Sequence, residues 1–221
     1  MLDLSRPWHE LPVVVLDTET TGVGEDDRIV ELAACRFEGG MPVAKWSAIV
    51  DPGREIPADV TAVHGISNDD VRGMPRLGAV LHGFAEVCKG AVPCAFNSEF
   101  DRKMLHRELA GSNWLALNVT CLAFDTEQTW IDPLVIVRDA DKYEKGKKLQ
   151  DACGRRGIVM EGAHRALADV LACGALLWAL KPRIGDISAE QLIRKCDKRR
   201  SAQEADFQAW LARQPKKESA A

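Results

Sequence analysis

The sequence has no excess of positive charge. Its 221 residues include 29 Lys and Arg against 33 Asp and Glu, which gives a formal net charge of −4. This balance excludes general attraction to nucleic acid or to an anionic membrane as the leading explanation of function, so any surface that binds a polyanion must be local. The sequence also lacks an apolar run near the roughly 18 residues of a membrane span, and no basic flank precedes an apolar stretch at its start. We therefore expect a soluble, cytoplasmic protein that does not bind a membrane.

The cysteines lack the pattern of a metal site or a disulfide framework. There are seven, an odd number, and no two of them have the C-x-x-C spacing. Several lie within apolar runs, as Cys173 does, which is typical of buried thiols. We predict seven reduced, buried cysteines. The sequence also has no internal repeat or extended low-complexity tract, and its length suits one core better than two.

Five short segments have the composition of β-strands. Residues 13–16 form a β-branched apolar run that ends in a polar loop, which predicts a buried strand in the middle of a sheet. Residues 29–37 and 43–50 flank a Gly-Gly-Met-Pro turn and predict an antiparallel meander. Residues 92–96 and 134–137 are predicted to be a fourth and a final short strand.

Several other segments carry apolar residues at three- and four-residue spacing, which is typical of amphipathic helices. Asn97 or Ser98 is a natural N-cap for one of them. Strands followed by alternating helices and strands indicate a mixed α/β domain over residues 1–180. The predicted helices cover residues 58–63, 77–88, 98–109, 149–156 and 165–180.

The composition changes after residue 180. Residues 181–221 contain ten Lys and Arg and six Asp and Glu, a net charge of +4, whereas residues 1–180 carry −8. A capping-box sequence at Ser188 predicts that a helix begins there. The basic stretch 194–200 has two possible roles, a contact with backbone phosphates or a solvated helix face. We predict a basic helical extension that follows the α/β domain.

Acidic residues stand at the ends of predicted elements. Asp17 and Glu19 are two residues apart at a strand end, so their side chains leave the same face roughly 6 to 7 Å apart. They repel each other unless a positive charge lies between them, and Mg²⁺ or Mn²⁺ with oxygen ligands meets that need. Asp101 and Asp169 each lie one turn into a predicted helix. The alternative is that all four are solvated acids or helix-start residues that complement the helix dipole.

His164 precedes Asp169 by five positions. On one helix the two side chains would point about 140° apart, so a shared site requires His164 to lie in the loop before the helix. Gly162 permits such a loop. The alternative is a histidine that packs and hydrogen-bonds without a catalytic role.

Three motifs match a known family as a set. They are Asp17-Thr18-Glu19-Thr20-Thr21-Gly22, Asn97-Ser98-Glu99-Phe100-Asp101 and His164-Arg165-Ala166-Leu167-Ala168-Asp169. In this order they resemble the 3′–5′ exonucleases of the DEDDh group, which includes the epsilon proofreading subunit of bacterial DNA polymerase III. The resemblance covers residues 10–180, and Val63-His64-Gly65-Ile66 is similar to the family's His-Gly-Ile turn. Phe96 is a departure, because many members have a histidine before the asparagine.

The resemblance implies a ribonuclease-H-like α/β fold with a five-stranded mixed sheet flanked by helices. It also implies hydrolysis of phosphodiester bonds from a free 3′ end with two divalent metal ions, Mg²⁺ or Mn²⁺. Asp17 would bridge both ions, Glu19 and Asp169 would hold one, and Asp101 would hold the other. His164 would take the proton from the attacking water.

The resemblance further implies a set of substrate contacts. Thr20 would meet the terminal 3′ hydroxyl through its backbone, His64 and Phe100 would hold the last nucleotide, and Asn97 would orient the site. Aromatic and imidazole faces stack on any base, so a weak sequence preference is expected. The substrate-binding residues are therefore expected to be Thr18, Thr20, His64, Asn97 and Phe100.

The expected activity is release of nucleoside 5′-monophosphates from single-stranded DNA or frayed 3′ ends. One alternative keeps the chemistry and changes the substrate to RNA, because nothing in the sequence reports on a 2′ hydroxyl. A second alternative is a non-catalytic binding module, although none of the four acids or the histidine is lost. A third possibility differs only in its partner: an accessory proofreading subunit bound to a DNA polymerase or to another replication or repair protein.

Overall fold

A computed structural model describes residues 2–111, 121–160 and 165–213. The strands are β1 (Val13–Thr20), β2 (Ile29–Glu38), β3 (Met41–Ile49) and β4 (Val92–Cys94). The helices are α1 (Ala58–His64), α2 (Asn68–Val71), α3 (Leu77–Cys88), α4 (Ser98–Ala110), α5 (Pro133–Ala140), α6 (Leu149–Gly154), α7 (Ala166–Ala179), α8 (Lys181–Ile184) and α9 (Ala189–Arg213). The predicted helices and the three-strand meander are confirmed.

The four strands form one mixed sheet in the order β3-β2-β1-β4. β1 is antiparallel to β2 and parallel to β4. The pairing with β4 covers Val13 to Val15 and stops there because β4 ends at Cys94. Beyond that point, the edge of β1 that faces β4 has no neighbouring strand among the described residues. The carboxyl ends of β1 and β4 lie at the same edge of the sheet.

The prediction of a fifth strand is wrong for the part of the chain that the structure describes. Residues 134–137 lie in α5, whose first turn contains Pro133 and whose N-cap, Asp132, accepts a hydrogen bond from the Leu134 N–H at 2.9 Å. A short apolar run cannot be told from a buried helix segment by periodicity alone. An isolated parallel bridge from Cys94 to Ile131 lies on the outer edge of β4.

Helices cover both faces of the sheet. Val13 and Val15 of β1 pack in one core with α7, and Val14 and Leu16 pack in the other with α3 and α4. α7 lies very close to the sheet, since a Cβ placed at Gly174 would approach the Phe37 ring to 2.0 Å. The α/β class with helices flanking a mixed sheet is therefore confirmed.

The basic extension is joined to this core. α9 begins with a capping box, in which the Ser188 N–H donates to Gln191 Oε1 and the Gln191 N–H donates to Ser188 Oγ, both at 3.1 Å. Leu192 and Cys196 are buried in the same cluster as α7, whereas residues 204–213 are exposed. A domain boundary at residue 180 stays a prediction.

All seven cysteines are buried and form no disulfide, as expected. Within the described ranges, no helix combines the length and the apolar character that a bilayer span requires.

Candidate metal and active site

Three carboxylates meet at the carboxyl end of β1. Asp17 and Glu19 alternate with Thr18 along the strand, so both side chains lie on the face covered by α7. Asp169 lies in the first turn of α7. One carboxylate oxygen from each residue lies within 4.8 Å of the other two, and all three residues are half-buried. The structure therefore brings together three of the four acids that the sequence singled out.

The three carboxylates oppose one another electrostatically. Burial raises the pKa of Asp17 well above its ordinary value, and the charges of Asp101, Glu19 and Asp169 raise it further. Burial, followed by the charge of Asp169, also raises the pKa of Glu19 to about 7, and Arg165 opposes that rise. The cluster thus resists full ionisation unless a positive charge joins it.

Arg165 forms an ion pair with an acid outside the cluster. Its guanidinium pairs with Glu31, with Nε 3.2 Å from Oε2, and Glu31 is buried on β2 opposite Glu19. The Glu31 carboxylate also accepts the Ala166 N–H at 3.3 Å, which fixes the start of α7.

The side chains of Asp17 and Glu19 form no hydrogen bond or ion pair with any other described residue. Their carboxylates and that of Asp169 are hard oxygen donors, the type that Mg²⁺ and Mn²⁺ prefer. The cluster therefore fits a divalent cation by its donor set and by the spacing of its oxygens. No cationic side chain in the described ranges lies within bonding distance of Asp17 or Glu19.

Asp101 lies beside the cluster and is hydrogen-bonded to the edge of β1 that has no strand partner at this point among the described residues. Its Oδ1 accepts the Thr18 N–H at 3.0 Å and the Thr18 hydroxyl at 2.7 Å. The N–H is available because β4 stops short of Thr18. Burial raises the pKa of Asp101 to about 7 against the opposing effect of these bonds. Asp101 is thus coupled to Asp17 by charge, although it is not one of the three acids within 4.8 Å.

A buried aspartate positions the start of α4, the helix that carries Asp101. Asp132 is 1% exposed, and its carboxylate accepts the Asn97 N–H at 3.0 Å and the Ser98 N–H at 3.1 Å. Asn97 occupies the predicted N-cap position in a left-handed conformation (φ 68°) but makes no capping bond with its side chain. The capping acceptor comes from Asp132, 34 residues further along the chain from Ser98.

Arg200 of α9 completes this network. Its Nη2 donates to Asp132 Oδ2 at 3.1 Å and to Ser98 Oγ at 2.7 Å. Residue-by-residue reasoning missed both Asp132 and Arg200. The Asp-Pro pair at 132–133 is a helix-start signal that could have found the first. No local signal identifies Arg200, which is one of several cations in its stretch.

His64 and Thr20 lie on the β2 side of the site. His64 is the last residue of α1, is 4% exposed, and its Nδ1 accepts the Ile66 N–H at 3.0 Å. The turn requires Gly65, whose φ is 77°. Burial lowers the pKa of His64 although the backbone of Thr20 raises it, so the ring is held neutral near pH 7.

The remaining predicted site residues lie in different environments. The Thr20 hydroxyl donates to the Gly22 carbonyl at 2.6 Å. Phe100 is half-buried against the core between the sheet and α3. Asn97 is exposed at the carboxyl end of β4. The predicted general base, His164, lies outside the described residues.

The acidic side chains of this α/β domain lie at the carboxyl ends of its strands. Open α/β sheets bind their ligands at that edge. The family model named exonuclease, RNase_T, matches residues 14–177, which extend from β1 to the last turns of α7. The chain belongs to this exonuclease family. The resemblance drawn from the three sequence motifs is therefore confirmed at the level of the family.

Curated relatives agree with this assignment. A DNA polymerase III subunit epsilon-like protein of Rhodobacter capsulatus is 33% identical over an alignment of 186 residues, which covers 80% of this chain and 25% of that protein. A DNA polymerase III subunit epsilon of Treponema pallidum is 30% identical over 167 residues, with 75% and 74% covered. A PolC-type DNA polymerase III of Streptococcus thermophilus is 31% identical, and the chain spans 11% of its length. The chain thus spans a small part of two of these three relatives.

Solved structures share the fold. Exonuclease X in complex with 5′-overhanging duplex DNA aligns with a TM-score of 0.64 at 22% identity and covers 83% of this chain and 99% of its own. Exonuclease I of E. coli in complex with a dT13 oligonucleotide aligns with a TM-score of 0.63 at 19% identity, with 78% and 42% covered.

Proposed function

We propose that this protein is a metal-dependent 3′–5′ exonuclease of the DEDDh type that releases nucleoside 5′-monophosphates. The observation that carries the proposal is the cluster of Asp17, Glu19 and Asp169, whose oxygens approach within 4.8 Å. The exonuclease family assignment supports the same chemistry. Carboxylate clusters of this kind commonly bind the metal ions that catalyse cleavage of phosphodiester bonds.

The four acids are proposed to hold two divalent ions, Mg²⁺ or Mn²⁺. Asp17 would contact both, Glu19 and Asp169 would hold one, and Asp101 would hold the second. When bound, these ions supply a water of lowered pKa and neutralise charge on the phosphoryl group. Thr18 positions Asp101 through its two hydrogen bonds. His164 is proposed to accept the proton of the attacking water, a task that requires a neutral imidazole.

The terminal nucleotide is proposed to lie on the β2 side of the cluster. A neutral His64 and the half-buried ring of Phe100 would contact the sugar and the base, and a stacked base excludes water from the site. Thr20 would meet the 3′ hydroxyl through its backbone, because its own hydroxyl is bonded to Gly22. Asn97 would orient the strand at the carboxyl end of β4.

DNA is the proposed substrate. The names of the similar structures specify DNA complexes, with an overhanging duplex in one case and dT13 in the other. The polymerase III names among the relatives support a DNA polymerase or another replication or repair protein as partner, in a cytoplasmic setting. The relatives named polymerase III epsilon also support a role in proofreading.

A labelled-strand assay tests the activity. A single-stranded DNA oligonucleotide with a 5′ label should shorten one nucleotide at a time with Mg²⁺ or Mn²⁺ and stay intact with chelator. A matched RNA oligonucleotide in the same assay measures the preference between the two sugars. Loss of the label as a mononucleotide would show attack from the 5′ end and would contradict the proposed direction.

A charge-matched pair of variants tests the site. Asp17→Asn should abolish shortening of the strand, whereas Asp69→Asn should not, because Asp69 pairs with Arg72 on the exposed surface of α2. Equal activity of the two variants would show that the acid cluster does not carry the reaction.

A further inference from the structure

An open groove lies next to the acid cluster at the β4 end of the same sheet edge. It encloses about 430 Å³ and begins at Asn97. Its apolar wall consists of Phe96, Leu134 and Leu149, and its polar rim consists of Arg138, Lys147 and Lys148.

The three cations of the rim are not neutralised within the described residues. No carboxylate oxygen there lies within 4.0 Å of a side-chain nitrogen of Arg138, Lys147 or Lys148, and Asp151 accepts only the backbone N–H of Lys148. Lys147 donates to the backbone carbonyls of Asp141 and Glu144, and Arg138 contacts Gln203 Oε1 at 3.4 Å. Uncharged acceptors leave a positive charge in place, so the groove is a local cationic surface on a chain of net charge −4.

The groove and His64 lie beside opposite neighbours of β1, the strand that ends in the acid cluster. In the sheet, β1 lies between β2 and β4. His64 faces Thr20 and Glu31 on the β2 side, and Asn97 follows β4. A strand whose last nucleotide contacts His64 would have to cross the end of β1 to place its preceding nucleotides in the groove.

We propose that this groove binds the nucleic-acid strand on the 5′ side of the cleaved bond. The inference rests on the proposed function and specifies how the site holds a polynucleotide. Arg138 and Lys148 contact backbone phosphates, with Lys147 adding charge behind them. Phe96 offers a half-buried aromatic face for a base, and base stacking on aromatic rings tolerates any sequence. The occupant is a polyanionic single strand, since three cations beside an apolar wall match its phosphates and bases.

The test compares two substrates of the purified full chain. One is a 5′-labelled dT12 strand. The other is the p-nitrophenyl ester of thymidine 5′-monophosphate, which offers the same phosphodiester to the metal centre without any preceding nucleotide. The test variant is Arg138→Gln/Lys148→Gln. Lys147 is left intact because it holds the carbonyls of the turn after α5. The charge-matched control is Lys45→Gln/Lys89→Gln, with one change on β3 and one at the opposite end of β4.

The groove variant should lose at least about tenfold more in kcat/KM on dT12 than on the ester, mainly through KM. Loss of two phosphate contacts should also reduce the slope of log KM against log salt by roughly 1.4, since each contact to a single strand contributes about 0.7. The control pair should keep the wild-type ratio between the two substrates. Equal losses on both substrates, or the same selective loss in the control, would overturn the inference.

A binding measurement separates this inference from the proposed function. If the wild type hydrolyses neither substrate, the exonuclease proposal fails. Fluorescence anisotropy of labelled dT12 in chelator then judges the groove alone. Weaker binding by the groove variant than by the control supports the groove, and equal binding overturns it.

Discussion

Two carboxylate sites lie near the same edge of the sheet and are stabilised in opposite ways. Asp132 is almost completely buried and receives three backbone N–H groups and the guanidinium of Arg200. Asp17 and Glu19 are half-buried and receive neither among the described residues. Asp132 is therefore neutralised by the chain itself, whereas no described side chain neutralises Asp17 or Glu19.

Most of the other described buried acids are, like Asp132, paired with an arginine. Glu108 accepts Arg28 Nε and Nη2 at 2.6 and 2.5 Å. Glu31 pairs with Arg165, and Asp141 pairs with Arg155 and Arg156. Asp101 is the exception among the described buried acids, because its bonds come from the uncharged Thr18. By this criterion, Asp101 belongs with the acid cluster rather than with the structural acids.

The largest expected effect comes from Asp17→Asn. The change removes a ligand shared by both proposed ions and should lower kcat/KM on a DNA strand by about 10³-fold or more, about 4 kcal/mol of transition-state stabilisation. The folded state should not be weakened, because one of the repelling charges is removed. Single-turnover kinetics and urea unfolding measure the two quantities. A large loss of stability would show that Asp17 is a structural acid like Asp132.

The converse change is Arg200→Met, which leaves Asp132 without its cation. Removing one partner of a buried ion pair costs about 3 kcal/mol of unfolding free energy. Urea unfolding measures this loss.

The matched control for that loss is Arg199→Met, because Arg199 pairs with Asp139 at an exposed position. Surface changes of this kind stay within about 0.5 kcal/mol. Equal losses for the two arginines would mean that burial of Asp132 does not require Arg200.

A third expected effect is stabilisation by metal ions. Mn²⁺ at about 100 times its dissociation constant should add about 2.7 kcal/mol to the unfolding free energy of the wild type, since a ligand bound by the folded state alone stabilises it. Thermal unfolding with Mn²⁺ and with chelator measures the difference. The increase should vanish in Asp17→Asn and persist in Arg199→Met. An unchanged increase in Asp17→Asn would place the ion elsewhere.

The smallest expected effect concerns pH in the metal-free protein. The pKa values of Glu19 and Asp101 are raised to about 7 in the folded state, so the folded chain binds more protons than the unfolded chain between pH 4.5 and about 7. The resulting stability is fully present at low pH and is lost as the pH rises through about 7. Relative to Glu19→Gln, the wild type should lose a few degrees of melting temperature in chelator from pH 5 to pH 8, and this comparison cancels the opposite contribution of buried His64, whose pKa is lowered.

Saturating Mn²⁺ should reverse that trend, because the metal binds the deprotonated carboxylates. Glu19→Gln should flatten the pH dependence in chelator. A wild type that gains melting temperature relative to Glu19→Gln as the pH rises, in the absence of metal, would contradict the cause given for the shifts.

Local signals in the sequence predicted β1, the helices and the pairing of Asp17 with Glu19 on one face. The period-two alternation of β1 suffices to put Asp17 and Glu19 on one face, and their spacing anticipated the cluster. The apolar run 134–137 was predicted to be a strand but is part of α5. Because α5 is short and mostly buried, its composition does not distinguish a helix from a strand. Arg200 could not be found, because its role depends on the packing of α9 against a loop 68 residues away in the chain.

The three-residue length of β4 limits how this sheet can be redesigned. If the strand continued past Cys94, its backbone would compete for the Thr18 amide and displace the Asp101 carboxylate. Engineering that lengthens or straightens this edge strand for greater rigidity would therefore improve its hydrogen-bond ladder and remove the contact that positions Asp101. Stabilising substitutions are better directed at the opposite border of the sheet, along β3.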